Sequence, residues 1–173
     1  MSDKSETLHK FDNAKLIDVV KNYKQYGYDD EIRNTALTIL ASRGIDEEAL
    51  RLTGNDKNYS YDTTENIFKS YTSSSRYTIL FYVLSLLLKV LIIILLASDE
   101  TMELMLTVMF AISVVLYLAF LIRSYLKLND FYKSMNRQIE VGEQIGYFII
   151  GMPLYILVYF FYKSKMKEEM KML

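Results

Sequence analysis

Cysteine and tryptophan are absent from this 173-residue chain, which holds one histidine, one proline and six glycines. Without cysteine there can be no disulfide, thiol nucleophile, cysteine-ligated metal, prenyl group or palmitoyl group. His9 stands alone in a polar stretch and reads as a surface residue. No glycine-rich phosphate loop, paired His/Glu metal pattern or nucleophile motif occurs. The expectation is a protein with no catalytic residue, cofactor or metal. Ser2 follows Met1, so the glycine that myristoylation needs is missing there. The first apolar run begins near residue 77, too far in and too long for a signal peptide. Residues 1–76 carry 11 Lys/Arg against 13 Asp/Glu, which denies nucleic acid the positive field it needs. Asn58-Tyr59-Ser60 matches a glycosylation acceptor by chance.

Hydrophobicity is concentrated rather than abundant. Apolar residues make up 51% of the chain, but residues 77–97 form an apolar run of twenty-one with one charge, Lys89. At 1.5 Å per residue this gives about 31 Å of helix, enough to cross a bilayer. Residues 104–122 carry no charge and form a second span, joined to the first by a short acidic tip with Asp99, Glu100 and Glu103. The following connection holds Arg123, Lys127, Lys133 and Arg137. The positive-inside rule puts the acidic tip outside, and the N-terminal region and the second connection in the cytoplasm. The heavy use of Lys, Asn, Ile and Tyr associates with AT-rich bacterial genomes, making the bacterial inner membrane the expected location. Residues 126–140 repeat an amphipathic theme in Leu128, Phe131, Met135 and Ile139, read as a short amphipathic helix on the cytoplasmic face that extends the second span.

The third apolar stretch, 145–162, contains Gly146, Gly151 and Pro153. Two readings remain. A full crossing is favoured because 154–162 shows no second break, but it would strand Lys163, Lys165, Lys167 and Lys171 outside. A re-entrant segment turning at Gly151-Met152-Pro153 would return that basic tail to the cytoplasm, and needs protein around its apex. Tyr147, Tyr159, Phe160, Phe161 and Tyr162 read as interfacial anchors. The tail 163–173, with Met166, Met170 and Leu173 on one side, could lie on anionic lipid.

Ahead of the membrane region, residues 1–10 read as a disordered terminus. Residues 11–54 read as a small cytoplasmic domain of about three short helices. Asp12, Asp29 or Asp30, and Asp46 are capping residues; Gly27, Gly44 and Gly54 follow the helix ends. The apolar faces are Leu16, Val19, Val20 and Tyr23, then Ile32, Ala36, Leu37, Ile39 and Leu40. Such a core is marginal alone and invites a partner. Residues 55–76 read as a linker and juxtamembrane helix opened by Asp62 and Glu65.

Lys89 carries the functional expectation. A lysine inside a span costs about 2.5–3.5 kcal/mol, and no acid of this chain's spans is placed to offset it. Thr78, Tyr82 and Ser85 precede it at helical spacing, and depth matching in an antiparallel hairpin sets Ser113 near Lys89 and Tyr117 near Ser85. This seam suits docking on other integral membrane proteins, an acid coming from the partner. The expected function is a non-catalytic accessory or scaffold subunit of a membrane complex, recruiting a cytoplasmic protein through 11–54. The alternative is a small homo-oligomeric transporter or channel component that uses the seam.

Overall fold

The computed structural model describes residues 3–95 and 100–173. The chain is all helical, 81% helix with no strand among the described residues. Among the described residues seven helices follow in order: α1 (Asp3–Leu8), α2 (Asn13–Asn22), α3 (Asp30–Ser42), α4 (Glu47–Leu52), α5 (Tyr59–Leu95), α6 (Glu100–Ser134) and α7 (Val141–Met170). Contacts divide them into two compact units, residues 1–63 with 169–173, and residues 64–168.

In the first unit, helix punctuation comes from side chains. Asp12 accepts from Lys15 N, Asp29 from Ile32 N and Asp46 from Ala49 N, each meeting a donor that a helix start leaves unpaired. Gly44 and Gly54 take positive φ directly after the caps of α3 and α4, and Gly27 does so at the end of the turn that follows α2. The apolar faces meet in a core of Leu16, Val19, Val20, Ile32, Ala36, Ile39, Leu40 and Leu50. Leu8 joins this core at 3% exposure, so part of the stretch read as a disordered terminus is α1. Arg43 spans the α1–α2 turn, donating to the carbonyls of His9 and Phe11 and to Asn13 Oδ1.

Among the described residues three helices, α5, α6 and α7, are by length and composition long and apolar enough to cross a membrane, which points to an integral membrane protein. α5 absorbs all but residues 55–58 of the expected linker and juxtamembrane segment into one 37-residue helix. α6 runs through the second span and on to Ser134, after which Asn136 turns the chain at φ 56°. The end of the first span at Ala97, and Asp99 in the tip, lie outside the described residues.

The third span does not extend. Pro153 removes one helical donor, and Leu154 leaves helical geometry at φ −134°, ψ 41°. Beyond this point the chain runs back along itself. Lys165 Nζ donates to Glu143 Oε1 at 2.6 Å, although a straight helix would hold those residues about 33 Å apart. The Tyr147 and Tyr162 rings lie 5.5 Å apart, against about 22 Å along a straight helix. Gly146 and Ile150 face Leu157, Val158, Phe161 and Tyr162 across a shared groove. Thus α7 is a helical hairpin of two arms, 141–153 and 155–170. The favoured full crossing is corrected to the re-entrant alternative.

A second contact points to the same topology. Within the first unit, Gln25 Nε2 donates to the Lys171 carbonyl at 3.0 Å. The end of α7 and the N-terminal helices therefore belong to one compact unit, and an even number of crossings is the expectation that follows.

The chain's lack of cysteine makes both statements directly testable. Single variants Ser42→Cys, Gln138→Cys and Ser164→Cys should react with an impermeant maleimide from one side of sealed vesicles, and Thr101→Cys from the other. Ser164→Cys labelled from the side of Thr101→Cys would exclude the hairpin. A short bifunctional maleimide should also join Glu143→Cys to Lys165→Cys within one chain.

Candidate functional site

The α7 hairpin places an irregular backbone within a membrane unit, where each unpaired carbonyl costs several kcal/mol. The first arm ends at Gly151, Met152 and Pro153, whose carbonyls would lack helical partners. Two tyrosines from the other helices meet them. Tyr117 Oη of α6 lies 2.8 Å from the Gly151 carbonyl and 2.9 Å from that of Met152. Tyr82 Oη of α5 donates to the Pro153 carbonyl. The two tyrosine rings lie 5.5 Å apart, so both walls of the bundle converge on the apex. Of the expected break residues, Pro153 adjoins the break, whereas Gly151 stays helical. A methyl group at Gly151 would meet Leu121 Cδ1 at an ordinary 3.7 Å.

Below the apex lies a hydroxyl cluster that side-chain spacing did not announce. Tyr155 Oη is 2.9 Å from Ser75 Oγ and 2.8 Å from Ser124 Oγ, and Tyr147 Oη is 2.6 Å from Ser124 Oγ. Tyr71 stacks on Tyr159 at 6.3 Å between centroids. Tyr147, Tyr159 and Tyr162 are thus buried in the bundle, which corrects their reading as interfacial anchors. Fold-back of α7 is the reason: its arms face each other and the α5–α6 pair. Phe160 and Phe161 keep outward positions at about 60% exposure. The available signal was tyrosine at 147, 155, 159 and 162, spacings that place it on the facing sides of two arms.

The predicted seam is only partly one site. Thr78 donates to the Ser74 carbonyl, Ser85 to that of Tyr82, and Ser113 to that of Phe81; all three hydroxyls are buried. Ser113 thus bonds the Phe81 carbonyl, eight residues before Lys89, and Tyr117 lies against Tyr82, three residues before Ser85. Lys89 does not join these hydroxyls. It is exposed, and its ammonium lies 5.8 Å from the centroid of Phe110.

The expected surface lysines divide as well. Lys165 pairs with Glu143 and lies 5.6 Å from the Tyr132 ring, and Lys163 lies 5.2 Å from that of Tyr159. Lys167 and Lys171 are exposed. Met166 and Met170 are buried, so the tail continues the second arm of α7. Among the described residues, no cluster of three or more His, Asp or Glu could hold a metal ion.

No family model, curated protein or solved structure matches this chain.

Removing either apex hydroxyl should destabilise the fold without changing its shape. Tyr82→Phe should cost about 1 kcal/mol and Tyr117→Phe about 1–2 kcal/mol, read as lowered thermal midpoints in detergent. Gly151→Ala should stay within about 0.5 kcal/mol of the parent. Equal stability of the Tyr117→Phe variant would show that the apex carbonyls do not need it.

Proposed function

We propose that the chain is a non-catalytic accessory or scaffold subunit of a larger membrane complex. It docks through its transmembrane helices, and the helical unit of residues 1–63 recruits a further protein. The observation that carries this reading is Lys89. Its seam neighbours Thr78, Tyr82 and Ser85 spend their hydroxyls inside the chain, while Lys89 stays exposed on a helix bordered by exposed Leu86, Val90 and Ile93. Ionisable residues at membrane depth face protein or water rather than lipid, so an outward lysine marks a face covered by another protein.

The tyrosines and serines of the bundle hold its own backbone and one another, which supports a scaffold over a reactive centre. The transporter alternative has less support. Discontinuous helices bind ions through open backbone carbonyls, whereas those of Gly151, Met152 and Pro153 already accept from tyrosines. The hairpin also favours termini in the bacterial cytoplasm. It returns Lys163, Lys165, Lys167 and Lys171 to the side of Arg123, Lys127, Lys133 and Arg137, as the positive-inside rule prefers.

Mild-detergent extraction of the tagged chain from its native membrane tests the reading. A reproducible set of membrane proteins should accompany the parent and fall several-fold with Lys89→Leu at equal chain abundance. A lone, homogeneous species from native membrane would reject the subunit role.

A further inference from the structure

The α7 hairpin explains why Lys89 is exposed. Tyr82 marks the apex, and α5 continues from there to Leu95, about 20 Å farther. The face that α7 covers lower down is uncovered above. Residues seven apart on a helix share a face. Lys89 is seven residues beyond Tyr82, about 10 Å above the apex. On α6, which runs the other way, Phe110 is seven residues above Tyr117. The Tyr82–Tyr117 pair that holds the apex is thus repeated two turns higher by Lys89 and Phe110. Around them Leu86 and Ile93 are 50% and 59% exposed, and Met152 and Leu154 at the apex are 52% and 50% exposed. The result is a recess: an uncovered face of α5 and α6, bounded at one end by the hairpin apex.

We propose that this recess is a socket for one transmembrane helix of another protein, and that the helix carries a carboxylate level with Lys89. Charge complementarity selects this occupant. The recess is apolar apart from one ammonium, and neither span of this chain holds an Asp or Glu to neutralise it. A second copy of the chain has no span carboxylate to offer either. A partner helix fills the volume of the missing third crossing, and its acid offsets the cost of Lys89. The inference rests on the reading of the chain as a subunit and specifies the partner.

A synthetic helix tests it without knowledge of the native partner. The full chain is reconstituted in phosphatidylcholine vesicles with a labelled Leu/Ala transmembrane peptide bearing one Glu about 10 Å from the midplane, and association is read by energy transfer. The Glu peptide should bind about tenfold more tightly than its Gln counterpart. That preference should vanish in Lys89→Met. In Leu86→Trp, which keeps the charge and fills the recess, binding of both peptides should fall. Equal binding of Glu and Gln peptides, or a preference that survives Lys89→Met, would overturn the socket. So would a Lys89-dependent rise in thermal stability on adding phosphatidylglycerol with no Glu preference, because the occupant is then an anionic lipid. Native partners lost in Lys89→Leu, with no peptide preference, would leave the subunit reading standing and remove the socket. Peptide preference with no native partners would do the reverse.

Discussion

A membrane interior supplies no water to an unpaired carbonyl, so a chain that turns back there must bring its own donors. In this protein the donors are the hydroxyls of Tyr82 and Tyr117, aimed at the last carbonyls of the first α7 arm. Those bonds let α7 stop partway and reverse. The other features of the membrane unit follow from that stop: two arms instead of one span, a hydroxyl cluster enclosed between them, and an uncovered face above. Apex stability and exposure of Lys89 are two consequences of one geometric event.

The same event changes the meaning of the aromatic residues. Fifteen tyrosines are a large share of this chain. Tyrosine is amphipathic, with a ring for apolar packing and a hydroxyl that needs a partner when buried. In a straight third span, those of 145–162 would decorate its interfacial ends. In a hairpin, Tyr147 and Tyr155 turn toward Ser124, and Tyr159 toward Tyr71. Apolar packing and hydroxyl pairing are then met by one residue type, and no charged group is needed inside the bundle. Lys89 is the exception, and it lies on the surface the hairpin leaves bare.

Some features were legible from local chemistry. The capping aspartates, the glycines after the helix ends and the faces of α2 and α3 depend on neighbours within a few residues, and spacing exposes them. Two apolar runs with an acidic tip between them similarly define a hairpin. Depth pairing was less legible, because it depends on where the turn is centred. Ser113 bonds the Phe81 carbonyl instead of lying level with Lys89. Leu8 was missed because a single apolar residue in a polar stretch has no periodicity to reveal it.

By itself the sequence determined that the chain is helical, that its apolar segments suit a membrane, and that a lone lysine sits within one of them. Each is a property of composition and spacing along a local stretch. Only the tertiary structure decided that the third segment returns, because Pro153 can kink a span as readily as end one. The choice depends on donors 34 and 71 residues earlier in the chain. Contacts of such separation leave no periodic trace, and it is they that turn an apolar stretch of spanning length into a hairpin beside an open socket.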